Sequence, residues 1–215
     1  FEILPVATRR AFIYLSKQPW LKKTHWYLAG GTALALQCGH RSSVDLDFFL
    51  PEATFSESRL LDRFSNTAWK TTHLQEMTIY GTLMKAKVSF IAYPFLMPKQ
   101  PFHFFGSVRI LDIADIAVMK IIAISQRGKK RDFVDLYWYC MQREKLDTIF
   151  ERLLPQYPTV THNYHHIIKS LTYFEEAESD PMPTLYFKTS WNEVKRFFRR
   201  EVPLLTKKLL HLDAH

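Results

Sequence analysis

The chain has few cysteines and no long apolar runs, and each shortage excludes a class of protein. Cys38 and Cys140 are the only cysteines in 215 residues, which is too few for a disulfide framework and lacks the spacing of a zinc site. No apolar run approaches the roughly 20 residues that a transmembrane helix needs. The opening stretch FEILPVATRRAF does not have the layout of a signal peptide. We therefore expect a protein of the reducing cytoplasm without a membrane segment.

The composition that remains is typical of a folded protein with an anionic partner. Hydrophobic residues make up 47% and charged residues 23%, so the chain can build a core. The 29 Lys and Arg residues outnumber the 21 Asp and Glu residues, which gives a formal net charge of +8. In a cytoplasmic protein this surplus favours nucleic acid as the partner, although it also serves solubility alone.

The hydrophobic pattern predicts helices and short strands in the first half of the chain. Phe12, Leu15 and either Ala7 or Ala11 recur at helical spacing within residues 6–17. We next predict a strand at 25–31, a helix at 32–39 between Thr32 as N-cap and Gly39, a strand at 43–50, and a helix at 55–67 capped by Ser56. The period then changes to two over residues 73–94, which predicts strands with a turn at Tyr80 and Gly81.

From residue 107 onward the pattern is helical. We predict helices at 107–125 and 132–144, separated by the basic turn QRGKKR. The remainder, 146–215, is expected to be helical with interruptions at ESDPMP and at Pro203. The pattern thus predicts an α+β first half with a small sheet and a helical second half.

Two acids, Asp45 and Asp47, interrupt an apolar strand-like run. Residues two apart in a strand project to one face, so these carboxylates should lie together while Val44, Leu46 and Phe48 project to the other. Two neighbouring carboxylates repel each other, and a divalent cation relieves that repulsion. Mg²⁺ commonly binds one or two carboxylates together with phosphate oxygens and water. On its own, however, a D-x-D sequence is more often a solvated strand face.

The pair Gly30 and Gly31 precedes the predicted helix at the end of the neighbouring strand. Glycine lets phosphate oxygens approach the backbone, and the free N–H groups of a helix start attract anions. The Thr32 hydroxyl can donate a further hydrogen bond. A lone Gly-Gly is usually only a turn, but its closeness to the two acids within one strand–helix–strand unit predicts a site that handles phosphate.

These residues carry a family resemblance. The stretch GGTALALQCGHRSSVDLDFF resembles the signature of the DNA-polymerase-β-like nucleotidyltransferase superfamily, and more narrowly that of the AbiEii/AbiGii toxin family. A second stretch, LDIADIAVMKIIAISQRGKKRDFVDLY, is similar to that family's later motif. The resemblance implies an α+β fold with a nucleotidyltransferase-like small mixed sheet flanked by helices and followed by a helical C-terminal half. It further implies a core over residues 1–112 and a helical domain over 113–215, packed on the core and completing the active site.

The resemblance also assigns roles to residues of the first motif. Asp45 and Asp47 are implied to bind Mg²⁺, with Mn²⁺ as an alternative, and to be catalytic. Three residues match the turn that holds the nucleoside triphosphate (NTP), namely Gly30, Gly31 and Thr32. Arg41 and Ser43 match the family's R-x-S and are implied to contact phosphate or to shape the turn.

The second motif supplies Lys120, Asp132 and Asp135. The resemblance implies that Lys120 engages the nucleotide and is catalytic, that Asp132 contributes to nucleotide binding and that Asp135 is catalytic. The residues alone also permit other interpretations. Lys120 lies on an apolar helix stripe from which a lysine can reach solvent, and Asp132 is placed to cap the next helix. Asp135 could pair with Lys120 or with Arg131.

One position departs from the wider superfamily. A third acid often stands on a later strand there, whereas KVSFIAYPF offers Ser89. The general base is therefore open between Asp135, His40 and substrate-assisted chemistry.

Further basic and histidine-rich stretches suggest a nucleic-acid partner. The clusters at 22–23, 128–131 and 195–200 could follow a phosphate backbone, although a solvated helix face explains the last nearly as well. In that last cluster we expect Phe197 and Phe198 to pack inward. The histidines of THNYHH lack the acid or cysteine that would complete a zinc site.

The function predicted is that of a metal-dependent nucleotidyltransferase toxin, which transfers a nucleotide from an NTP to RNA, with tRNA the favoured acceptor, and releases pyrophosphate. The resemblance also implies a separately encoded antitoxin as partner. Two alternatives stay open: a non-catalytic module that binds nucleotide or RNA, and nucleotidyl transfer to a protein hydroxyl.

Overall fold

The computed structural model describes residues 3–209. The chain divides into two compact units, Phe1–Ile113 and Ala114–His215. The elements of the first unit are, in chain order, α1 (Val6–Ser16), α2 (Pro19–Lys22), β1 (Tyr27–Ala29), α3 (Gly30–Cys38), β2 (Leu46–Leu50), α4 (Glu57–Asp62), β3 (Trp69–Gln75), β4 (Thr78–Leu83), β5 (Ala86–Ala92), β6 (His103–Phe105) and β7 (Val108–Ile110).

The second unit is built from helices, the first of which begins at the last residue of the first unit. They are α5 (Ile113–Arg127), α6 (Lys130–Gln142), α7 (Leu146–Glu151), α8 (Leu153–Gln156), α9 (Tyr164–Ser170), α10 (Glu175–Glu178) and α11 (Trp191–Leu209). No helix among residues 3–209 is both long and apolar enough to cross a membrane.

The strands of the first unit form one mixed sheet, which confirms the predicted α+β class. Within the described residues the sheet has seven strands in the order β3-β4-β5-β2-β1-β7-β6. The pairs β1–β7 and β2–β5 are parallel, and the other pairs are antiparallel. The central position of β2 places Asp47 beside both β1 and β5.

One face of the sheet carries an aromatic core. Phe48 of β2 and Phe90 of β5 stack with ring centroids 5.2 Å apart, and the rings of Trp20, Trp26 and Phe64 lie 5.1–6.5 Å from Phe90. Burying such a side chain stabilises the fold by about 1.5–3 kcal/mol. We call this side the covered face. Along β2, buried residues alternate with half-buried ones, so Asp47 and Phe49 lie on the opposite, open face.

The turn predicted at Tyr80 and Gly81 is wrong, because both residues lie inside β4. The β3–β4 connection falls at Glu76 and Met77 instead. Gly81 has a packing role: a Cβ there would lie 2.3 Å from the indole ring of Trp69, so only glycine lets that ring lie flat on β4.

The prediction of helix from residue 107 is also wrong at its start. Residues 108–110 form β7, which pairs with β6 in a short hairpin and extends the sheet beside β1. Each of these strands has only three residues, which is too short for alternation to be visible in the sequence. The helix begins at Ile113.

Pro203 does not interrupt its helix, contrary to prediction, because α11 continues through it to Leu209. Val194, Phe198, Val202 and Leu205 are buried at helical spacing on both sides of the proline. Their packing holds the helix together at a position where the proline removes one backbone donor. The predicted helical residues 210–215 lie outside the described part of the chain.

Candidate active site

The two acids of the first motif lie at the start of β2. Asp45 immediately precedes the strand and Asp47 is its second residue, and both are half-buried. Asp47 lies directly opposite Ala29 of β1 and Ser89 of β5. The alternation predicted from the sequence holds for Leu46 and Phe48, which are buried, but Val44 is 49% exposed because the strand begins only at Leu46.

The glycine turn lies against the Asp47 carboxylate. Helix α3 begins at Gly30, directly after β1, and Gly30 has a φ of +69°, which favours glycine. A Cβ on Gly30 would lie 3.5 Å from Asp47 Oδ2. The nine-residue helix thus starts beside the carboxylate, with the partial positive charge that helix N-termini carry.

Gly31 makes room for a cation. A Cβ at this position would lie 2.2 Å from Arg41 Nη2 and 3.5 Å from Ser43 Oγ. Arg41 is 3% exposed, so its guanidinium is packed against the backbone of the turn. We expected the absence of a side chain at Gly31 to leave room for phosphate. The Arg41 guanidinium occupies that room instead.

Thr32 joins the helix to the segment that carries the acids. It was predicted to be an N-cap, which is wrong: the N-cap is Ala29, and Thr32 lies inside the first turn of α3. Its hydroxyl donates to the backbone carbonyl of Asp45 and lies 2.8 Å from Ser43 Oγ. Thr32 and Ser43 are both buried, so these contacts fix the backbone just before Asp47.

Ser89 occupies the position opposite Asp47 in the parallel pair. Its hydroxyl donates a hydrogen bond of 2.6 Å to Asp47 Oδ1, and Ser89 itself is buried. This bond holds the carboxylate in one orientation. His40, the other candidate base in this unit, is 2% exposed in the loop that follows α3.

The donor set of the first unit fits a divalent cation that also binds phosphate. Asp45 and Asp47 supply two carboxylates, which is the number that Mg²⁺ commonly uses when phosphates and water complete its six ligands. Among residues 3–209 there is no group of three or more His, Cys, Asp or Glu residues arranged to hold a metal.

The residues of the second motif form a buried ionic cluster in the second unit. Lys120 Nζ lies 2.7 Å from Asp132 Oδ1 and 2.7 Å from Asp135 Oδ2. Arg127 adds Nε and Nη2 contacts of 2.9 and 3.1 Å to the two oxygens of Asp132. The side chains of Lys120, Asp132 and Asp135 are 4%, 0% and 0% exposed, so Lys120 does not reach solvent along the helix. Of the two partners predicted for Asp135, Lys120 and Arg131, the structure shows the ion pair with Lys120.

Burial and charge act on Asp132 in opposite directions. Burial is the largest effect and raises the pKa of Asp132, but the attraction of Lys120 and Arg127 outweighs it and leaves the pKa below its usual value of 3.8. The carboxylate is thus ionised in the folded state. Arg127 was not predicted as a partner, although its place in QRGKKR beside Asp132 was the available signal.

The prediction that Asp132 caps the next helix is wrong. Helix α6 begins at Lys130, so Asp132 lies within its first turn. The cap comes from a distant residue, Asp180, whose Oδ2 accepts a 3.0 Å hydrogen bond from the Lys130 backbone N–H. Asp180 lies in ESDPMP, a stretch predicted only to interrupt helices.

The basic clusters differ in how much charge they present. Lys130 is buried, donates to the carbonyls of Glu178 and Asp180, and lies 5.3 Å from the Trp191 ring. Within the cluster at 128–131, Lys130 therefore binds a segment of its own chain. In the cluster at 195–200, Phe197 and Phe198 are buried as predicted.

His166, one of the histidines of THNYHH, has structural contacts in the second unit. Asn163 caps α9 by accepting from the His166 backbone N–H, and His166 Nε2 lies 3.0 Å from the Ser125 carbonyl.

Comparison with known proteins places the chain among nucleotidyl transferases. The family model described as "Nucleotidyl transferase AbiEii toxin, Type IV TA system" matches residues 20–77 and 84–210. An uncharacterized protein of Aquifex aeolicus (strain VF5) is 38% identical over 185 residues, which cover 82% of this chain and 86% of the relative.

Two solved structures show that the fold is shared at low identity. The nucleotidyltransferase toxin MenT4 from Mycobacterium tuberculosis H37Rv superposes with a TM-score of 0.58 at 16% identity, covering 93% of this chain and 84% of that one. The protein JHP933 from Helicobacter pylori has a TM-score of 0.51 at 16% identity, covering 97% and 96%.

Proposed function

Since the chain belongs to the AbiEii family of type IV nucleotidyl transferase toxins, we propose that it transfers a nucleotide from an NTP to RNA and releases pyrophosphate, in a metal-dependent reaction. One observation carries the proposal: the Asp47 carboxylate lies between the first residue of α3 and the Ser89 hydroxyl. A carboxylate beside a helix N-terminus can bind the same cation as the phosphates of an NTP, while the N–H groups of the helix bind those phosphates.

Asp45 and Asp47 would hold the metal. A bound Mg²⁺ or Mn²⁺ supplies Lewis-acid stabilisation of the charge that develops on the phosphoryl oxygens. The chain's own residues do the rest of the positioning. Ser89 orients the Asp47 carboxylate, and Thr32 holds the Asp45 carbonyl.

The triphosphate would lie at the start of α3. The backbone N–H groups of Gly30, Gly31 and Thr32 belong to the first turn of the helix, where such groups have no intrahelical partner. The guanidinium of Arg41, packed on Gly31, adds positive charge to this turn. Ser43 supports the arrangement through Thr32. Direct contacts of the Thr32 and Ser43 side chains with nucleotide stay predictions.

Lys120, Asp132 and Asp135 remain in the proposal because they match the family's second motif. We propose that Lys120 engages the nucleotide, that Asp132 contributes to its binding, and that Asp135 takes part in catalysis. The ion pairs within the cluster hold the lysine in one place, which supports a positioning role.

The acceptor and the partners complete the proposal. A net charge of +8 favours a polyanionic acceptor, and tRNA is the RNA that the family resemblance favours. Membership of a type IV toxin family supports a cognate antitoxin protein as partner and a cytoplasmic location.

The test is a transfer assay. The protein is incubated with Mg²⁺, each α-³²P-labelled NTP in turn, and total RNA, and the products are separated on a denaturing gel. We expect one or more NTPs to label RNA and Asp47→Asn to abolish the labelling. Absence of labelled RNA with all four NTPs would contradict the proposal, and label in a protein band would assign the acceptor to a protein hydroxyl.

A second candidate function follows from Ser89. With a hydroxyl where the wider superfamily often has a third acid, the site lacks one candidate base, which favours a module that binds nucleotide without transferring it. Calorimetry would then show NTP binding, and a coupled assay would detect no pyrophosphate.

A further inference from the structure

The open face of the sheet continues away from the candidate site across β5, β4 and β3. Asp47 is paired with Ser89, Ser89 with Tyr80, and Tyr80 with His73. Residues directly paired across strands project to the same face. Since neighbouring strands are about 4.8 Å apart, this row extends roughly 14 Å from the Asp47 carboxylate.

A second row on the same face carries positive charge. Lys87 of β5 is paired with Thr82 of β4, and Thr82 with Lys70 of β3. Lys87 and Lys70 are both exposed, whereas Ile79 and Val88, which alternate with the row members, are buried on the covered face. The lysine row is thus parallel to the row that begins at Asp47, and about 6–7 Å from it along β4 and β5, where members of the two rows are two residues apart.

The exposed rings on this face lie together. Tyr80 is 40% exposed, and its ring centroid lies 6.0 Å from that of the exposed His73. The described strands β3, β4 and β5 contain no Asp or Glu. These three strands therefore combine two ammonium groups and a pair of exposed rings with no acidic side chain of their own.

This combination matches single-stranded nucleic acid. Lysines neutralise backbone phosphates, while aromatic rings stack with unpaired bases regardless of their identity. A duplex does not expose its bases for stacking, so the rings specify a single-stranded segment. A protein partner would require an apolar centre, and here only one aromatic pair lies between polar residues.

We propose that this surface, the acceptor face (Lys70, His73, Tyr80, Thr82 and Lys87), binds the single-stranded end of the acceptor RNA. It directs the terminal hydroxyl along the row from Tyr80 through Ser89 to the acids. That the substrate is RNA rests on the proposed function. The location of the acceptor face rests on the pairing of β3, β4 and β5.

The test measures RNA binding separately from transfer. The probe is a fluorescein-labelled 12-nucleotide single-stranded RNA with a free 3′ hydroxyl, followed by fluorescence anisotropy at several salt concentrations. The charge variant is Lys70→Glu/Lys87→Glu. Its matched control is Lys169→Glu/Lys188→Glu, which makes the same charge change at two exposed lysines of the second unit that belong to none of the three basic clusters.

We expect the charge variant to bind the RNA at least tenfold more weakly, and the control to stay within about threefold of the unmodified chain. The slope of log K against log salt should fall by about 1.4 for the two lost phosphate contacts. Tyr80→Ser should weaken binding about fivefold or more, whereas Tyr80→Phe, which keeps the ring, should change it little. Thermal unfolding of each variant verifies that it is folded.

The outcomes separate this inference from the proposed function. If the acceptor-face variants and the control lose the same affinity, or if none loses any, the acceptor face is overturned. If the unmodified chain binds RNA through this face but labels it with no NTP, the proposed transfer fails while the acceptor face stands. Binding that is lost on Tyr80→Phe as fully as on Tyr80→Ser would contradict the stacking role.

Discussion

Ser89 Oγ donates a 2.6 Å hydrogen bond to Asp47 Oδ1 across the parallel pair of β2 and β5. The wider superfamily often has an acid on this strand, which would repel the Asp47 carboxylate unless a cation lay between them. Here a neutral donor orients the carboxylate even before a cation arrives. Asp45 and Asp47 are left as the two acids that we propose to bind the metal.

Removing that hydroxyl should affect transfer more than folding. In Ser89→Ala the Asp47 carboxylate loses its hydrogen bond from the Ser89 hydroxyl. A hydrogen bond to a charged group contributes about 1.5–3 kcal/mol, and this one holds the carboxylate in the orientation that we propose for metal binding. We expect the transfer rate to fall roughly tenfold or more, with a melting temperature within a few degrees of the unmodified chain. Ser89→Thr, which keeps a hydroxyl, is the matched control. Equal rates for the alanine variant and the unmodified chain would remove Ser89 from the site.

Gly31 and Arg41 should be energetically coupled. In Gly31→Ala the added Cβ would lie 2.2 Å from Arg41 Nη2, so the guanidinium must move away from the turn. Overpacking of this kind costs about 1–3 kcal/mol. In an Arg41→Ala background the same glycine substitution should cost much less. Chemical unfolding of the four chains of this cycle gives the coupling energy, and additive effects would show that the two residues do not touch.

Lys120 should contribute strongly to the stability of the second unit. Lys120→Met leaves the carboxylates of Asp132 and Asp135 buried without their shared cation, at a cost of about 3–5 kcal/mol. Replacing the cluster as a whole, with Lys120→Met/Asp132→Asn/Asp135→Asn, should restore part of that loss because no buried charge is left unpaired. Urea unfolding measures both. A single substitution that is tolerated without loss would contradict the buried network.

The network should also make stability depend on acid pH. The pKa of Asp132 is lowered in the fold, from an ordinary value of 3.8, so its stabilisation is present above pH 4 and is lost as pH falls through the folded pKa. We expect the free energy of unfolding to decrease as the pH falls below about 4, and Asp132→Asn to reduce that decrease. Asp62→Asn, at an exposed acid, is the control. An unchanged pH profile in Asp132→Asn would contradict the ion pairing.

The sequence predicted those parts of the fold whose pattern is local. Alternation correctly predicted that Asp47 projects to one face of the strand while Leu46 and Phe48 project to the other. The helical spacing of Phe12 and Leu15 correctly predicted α1. Gly39 ends α3 in the left-handed conformation, and Ser56 caps α4, both as predicted from residue type. Each of these features depends on neighbours only a few residues away, which is why one sequence was sufficient.

The wrong predictions depended on contacts between distant residues. Asp132 looked like a cap because it follows a basic turn, but Asp180 caps α6 from 50 positions away and leaves Asp132 to the ion pairs. Gly81 was predicted to lie in a turn because glycine is common in turns. The real reason for glycine there, the Trp69 ring on the neighbouring strand, is not visible in the local sequence. Thr32 similarly bonds to the Ser43–Asp45 segment rather than to its own helix.

The most direct measurement is manganese binding followed by electron paramagnetic resonance, with Mn²⁺ titrated into the protein together with a non-hydrolysable NTP. The account predicts one Mn²⁺ bound per chain in the presence of the nucleotide, and loss of that binding in both Asp45→Asn and Asp47→Asn while the chains remain folded. If Mn²⁺ and nucleotide bind these variants as tightly as they bind the unmodified chain, the acids at the start of β2 do not hold the metal.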